Sequence, residues 1–146
     1  MQFTFLDDIL SLEGNRISAR KRVDPKEPYL ADHFPGFPIL PGVLMLETMV
    51  QAARHLCESQ GSGPVVVGQV RAVKYGAMVK PGHALRVEVN IEEGEDSGTY
   101  LCRGTGFVEG GPNDGDTAIS GRFTMRPVQV LNAAHAAKQE AETTCS

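Results

Sequence analysis

Five prolines fall within the eighteen residues from Asp24 to Pro41: Pro25, Pro28, Pro35, Pro38 and Pro41. Proline fixes φ and removes a backbone donor, so the stretch predicts a stiff loop that is neither helix nor central strand. At Pro41-Gly42 the texture reverses. Val43 to Gly61 reads VLMLETMVQAARHLCESQG, with strong helix formers and no glycine or proline until its end. This predicts one long helix, stopping at Gly61 or Gly63. A rigid loop feeding an apolar helix leaves the rest of the fold one main task, which is to cover that helix.

The remaining sequence supplies strands. Phe3 to Leu12 and Ile17 to Val23 flank the turn EGNR. They predict two paired strands, with a short initial helix as the alternative. On the second, Ile17, Ala19, Lys21 and Val23 share one face and Arg16, Arg20 and Arg22 the other. After GSGP come VVVGQVRAVKY, ALRVEVNIEE, TYLCRGTGFV and TAISGRFTMR, separated by Pro81-Gly82, GEDSG and EGGPNDGD. LRVEVNI alternates with period two, as a sheet with one covered face requires. We expect a meander of antiparallel strands, curved around a central helix that is apolar on most sides. Residues 1–127 form the expected domain. The Ala-rich tail, residues 128–146, is expected to be helical or disordered and dispensable to it.

At 146 residues and 41% hydrophobic content, one core can be buried without disulfides or metal. The net charge of −4 disfavours non-specific nucleic-acid binding but leaves room for a local basic patch. Cys57, Cys102 and Cys145 are widely spaced, with no CxxC, and read as thiols of a reducing compartment. No signal peptide or membrane span is evident, so the expected location is cytoplasmic.

From Val43 to Ala53 the only polar side chains are Glu47, Thr48 and Gln51. Glu47 and Gln51 are four residues apart and share a helix face, where the amide can orient the carboxylate. That face either meets solvent, making Glu47 an ordinary surface residue, or serves chemistry. His33 sits in the stiff loop, and its two readings are a backbone-satisfied loop histidine and a held catalytic base. Gly42 marks the helix start, where free N–H groups and the positive end of the dipole favour a developing negative charge. A base, an acid and an oxyanion donor suit proton abstraction beside a carbonyl, with no metal or cofactor invoked. His55, His83 and His135 read as surface residues, and EGGPNDGD as a hairpin connection, neither phosphate loop nor calcium loop.

The stretch His33-Phe34-Pro35-Gly36-x-Pro38-x-x-Pro41-Gly42-Val43-Leu44-x-x-Glu47-x-x-x-Gln51 resembles the signature of the beta-hydroxyacyl-[acyl-carrier-protein] dehydratases of type II fatty-acid synthesis. Val43 and Glu47 are similar to the FabZ branch; the FabA branch carries cysteine and aspartate there. The looser likeness covers residues 3 to about 126, and departs from the FabZ pattern at FTFLDDILSL and KYGAMVKPG. It implies an α+β hot-dog fold, a curved antiparallel sheet wrapped around one long central helix. It also implies catalysis by His33 and Glu47, with Gly42, Gln51, Val43 and Phe34 holding the substrate. An acyl carrier protein is the implied partner, with Arg71, Lys74 and Lys80 as docking candidates. The implied assembly is a homodimer with shared sites, which can extend to a trimer of dimers. No metal, cofactor, nucleic acid or membrane is expected. The rival readings are a hot-dog acyl thioesterase and a non-catalytic hot-dog protein that binds acyl carriers.

Overall fold

The computed structural model describes residues 6–24, 40–95 and 98–128. The proline-rich loop from residue 25 to 39, with His33 and Phe34, and the tail from residue 129 onward lie outside the described residues. Strands β1 (Asp8–Glu13) and β2 (Arg16–Arg22) form the first pair. Gly14, at φ 54°, makes the turn between them in a conformation that glycine adopts freely. Asp8–Glu13 is thus a strand, and the helical alternative for that segment is set aside. Helix α1 (Gly42–Ser59) follows, then β3 (Val65–Tyr75), β4 (Ala84–Glu93), β5 (Tyr100–Glu109) and β6 (Thr117–Pro127).

All six strands belong to one antiparallel sheet, in the order β1-β2-β4-β5-β6-β3. The expected simple meander holds only for β4-β5-β6. β3 does not pair with β4: it crosses to the far edge and pairs with β6, while β2 takes the place beside β4. Period-two alternation says which face a residue takes but not which strand lies next to it. The β3–β4 connection shows how the crossing is made. At one end Gly76 and Ala77 donate to the carbonyls of Ala118 and Thr117 at the start of β6. At the other, the Gly82 N–H reaches the Val23 carbonyl just past β2. Val79, between them, is fully buried.

The inner face of the sheet carries Ile17 and Ala19 on β2 and Leu85, Val87, Val89 and Ile91 on β4. β5 adds Cys102 and Val108, and β6 adds Ile119, Phe123 and Met125; all are buried. α1 lies across this face and buries Met49, Ala52, Ala53, Leu56 and Cys57. The close approach depends on Gly104 of β5: a Cβ there would stand 2.8 Å from Met49 Sδ. Thr48 is buried too, and its hydroxyl donates to the Leu44 carbonyl at 2.7 Å, so the core carries no loose hydroxyl there.

Candidate active site

The proline-rich loop enters the described structure at Leu40, which is fully buried and donates its N–H to the Val79 carbonyl at 2.8 Å. Pro41, extended at φ −61° and ψ 144°, caps α1 without a side-chain hydrogen bond. Its carbonyl accepts from the N–H groups of Leu44 (3.0 Å) and Met45 (3.2 Å). The N–H groups of Gly42 and Val43 stand at positions that have no acceptor within a helix. They sit at the positive end of the helix dipole, a place suited to a carbonyl oxygen gaining charge.

Gly42 is crowded by an aromatic ring. A Cβ at this position would come within 2.8 Å of Tyr75 Cε1. The missing side chain therefore lets the Tyr75 ring lie against the first turn of α1, and ring and backbone together wall one side of the helix start. Nothing in the sequence spacing says that the end of β3 meets the start of α1.

One turn further on, Gln51 Nε2 donates to Glu47 Oε2 at 3.0 Å. This is the four-residue pairing expected from the helix, and it holds the carboxylate in one orientation. Glu47 and Gln51 are half-buried, so Glu47 is neither a fully solvated surface charge nor a closed-off one. Around them the front of α1 is open. Val43 is 66% exposed, and Val70 and Tyr75 of β3 and Met78 after it are exposed as well. Two cavities formed by the described residues, of about 670 and 580 Å³, lie on the outer face of the sheet and beside His83. Neither includes Glu47. Among the described residues, the Glu47–Gln51 pair therefore faces an open, largely apolar surface.

The docking candidates divide. Arg71 and Lys74 point outward from β3, opposite Arg122 and Ser120 of β6, and Lys80 is exposed ahead of β4. His83, expected at the surface, is half-buried against Gly110 and Gly111. Lys21 was placed on the apolar face of β2, and the structure buries it there, 5% exposed and opposite Leu85. Among the described residues no cluster of histidine, cysteine, aspartate and glutamate could hold a metal ion.

The ApeI-like family profile, described as ApeI dehydratase, matches residues 10–110. A 3-hydroxyacyl-[acyl-carrier-protein] dehydratase FabZ of Pelotomaculum thermopropionicum is 40% identical over 96 residues, covering 62% of this chain and 68% of that protein. The chain belongs to this dehydratase family. A second dehydratase FabZ, of Alkaliphilus metalliredigens, is 37% identical over 113 residues, covering 74% of this chain and 71% of that protein. Among solved structures, smu.793 of Streptococcus mutans bound to acetyl CoA superposes with a TM-score of 0.63 at 19% identity, covering 82% of this chain and 86% of that one. The PaaI protein of E. coli gives 0.62 at 14% identity, covering 83% and 78%. These superpositions show the hot-dog fold.

In this dehydratase the thiols at the rear of α1 are poor nucleophiles. Burial pushes Cys57 up to about 11, helped by the nearby Glu58 charge, and burial pushes Cys102 up to about 12, helped by Cys57. Protonated thiols do not attack thioesters, so thiol chemistry belongs to neither position.

Proposed function

We propose that this chain converts (3R)-3-hydroxyacyl-[acyl-carrier-protein] to trans-2-enoyl-[acyl-carrier-protein] in type II fatty-acid or related acyl biosynthesis. The observation that carries the mechanism is the Gln51–Glu47 hydrogen bond on the open front of α1, one turn from the Gly42 amide. The thioester oxygen accepts from the Gly42 N–H. His33 takes a proton from C2, the C–H electrons form the C2–C3 double bond, and the C3 hydroxyl leaves with the proton of Glu47 as water. Gln51 keeps Glu47 turned towards that hydroxyl. Val43 and Phe34 line the acyl chain. Arg71, Lys74 and Lys80 meet the carrier protein.

The working unit in this reading is a homodimer whose sites combine His33 of one subunit with Glu47 of the other. The exposed apolar side chains Val43, Val70, Tyr75 and Met78 support it, because exposed apolar side chains are what a second copy would cover. Incubation of the purified protein with a 3-hydroxyacyl carrier thioester tests the reaction: trans-2-enoyl product is expected, and free thiol without enoyl product would replace the reading with hydrolysis. Mixing inactive His33→Ala and Glu47→Gln chains tests the sharing. Activity should return once subunits exchange, and failure despite demonstrated exchange would put both groups in one subunit.

A further inference from the structure

The outer face of the sheet is electrically divided. On the β2 and β4 side every arginine has a carboxylate. Arg16 pairs with Glu88 at 2.6 Å, Arg20 with Glu109 at 2.6 Å and Arg22 with Asp8 at 2.7 Å, while Arg86 pairs with Glu88. On the β5, β6 and β3 side the pattern breaks. Arg103 lies directly opposite Arg122, and Arg122 directly opposite Arg71, so three guanidinium groups form one row across three strands. Arg71 donates only to Gln69, and among the described residues neither Arg103 nor Arg122 has a hydrogen-bonded or ionic partner. Asn90 continues the row on β4, and the row lines a shallow depression of about 670 Å³. Glu92 is the one carboxylate lining it, and no ion pair links it to these arginines.

Like charges placed directly opposite each other on a sheet destabilise it. A row of three is therefore a cost in the free chain that a counter-charge would remove. Its spacing says which counter-charge fits. Side chains directly opposite on neighbouring strands begin about 5 Å apart. Carboxylates along one face of a helix, three or four residues apart, repeat at about 5–6 Å. The bidentate guanidinium–carboxylate pair then forms at each position in turn. We infer that the Arg71–Arg122–Arg103 row is a docking surface for an acidic helix of a partner protein, lying across β3, β6 and β5. This does not rest on the dehydratase reading, because Arg103 and Arg122 occupy the face opposite α1 and Glu47. Arg71 is also a carrier-docking candidate, so the test turns on the other two arginines.

The probe is a fluorescent, stapled helical peptide with glutamates on one face, followed by anisotropy with the full chain at low and moderate salt. Its controls are the same peptide with glutamines, inorganic polyphosphate and a single-stranded oligonucleotide. Binding of the glutamate peptide should weaken with salt, fall about tenfold or more in Arg103→Gln/Arg122→Gln, and survive Arg22→Gln on the balanced side. The double variant should melt at the same or a higher temperature than the parent, since a repulsion is removed. The proposal is overturned if the glutamate peptide does not bind, or if the glutamine peptide binds as well. It is equally overturned if the oligonucleotide or polyphosphate binds more tightly, if the double variant binds like the parent, or if it melts lower.

Discussion

Both halves of α1 bury one face, but the front half also leaves apolar side chains open. The rear half, from Ala52 to Cys57, places Ala52, Ala53, Leu56 and Cys57 against the sheet with almost no exposure. The front half buries Met45, Met49 and Val50 in the same way, yet it leaves Val43 66% exposed and Leu44 and Leu46 only partly covered. Among the described residues, the Tyr75 ring lies against the first turn of that front half. Apolar surface held open by a rigid scaffold is what a substrate or a second subunit needs. The rear gives the helix buried apolar contacts, and the front adds the half-buried Glu47–Gln51 pair beside exposed apolar side chains.

The strongest way to break this contrast is Glu47→Gln. Glutamine keeps the shape and can still bond to Gln51, so thermal stability should hold while turnover falls by about 10²–10⁴-fold, the usual contribution of a general acid. Steady-state rates with melting curves on the same samples check it. A rate near the parent's would return Glu47 to an ordinary surface residue.

Leu56→Ala makes the opposite cut. Removing a fully buried leucine from the rear should cost about 2–5 kcal/mol of stability. Chemical denaturation should show the loss, while the rate per folded molecule at low temperature stays near normal.

Val43→Ser sharpens the contrast at smaller scale. In a chain that stays monomeric, replacing so exposed a side chain should change stability by no more than about 0.5 kcal/mol. If the front is covered by a second copy, the variant should instead dissociate at higher protein concentration than the parent, as sedimentation would record.

The smallest expected effect concerns the buried thiols. Cys57 and Cys102 have folded-state values of about 11 and 12 against 9.0 for a free thiol. Above about pH 9 the unfolded chain gives up these protons and the folded chain keeps them, so their contribution to stability is present below pH 9 and lost as pH rises. Cys57→Ala/Cys102→Ala should therefore show a shallower fall of melting temperature between pH 8 and about pH 10 than the parent. An equally steep fall in both would assign the decline to other groups.

Local pattern was enough for much of this. Proline spacing and the glycine-free run Val43 to Gln60 predicted the helix, the strand run ALRVEVNIEE, whose LRVEVNI core alternates, is β4, and the run VVVGQVRAVKY is β3. The four-residue interval placed Gln51 beside Glu47, because a helix makes that contact by itself. These properties live within a turn or a strand, where backbone geometry and side-chain preference are local. Which strands lie side by side was another matter. β3 crossed to β6, and with it Tyr75 came to Gly42 and Arg71 to Arg122. Such meetings join residues more than thirty positions apart, and their partners are chosen only when the whole inner face is covered at once. Only the register shows that Arg103 and Arg122 stand opposite each other. A residue's face follows from period two, but its neighbour follows from the topology that buries the most apolar surface around α1.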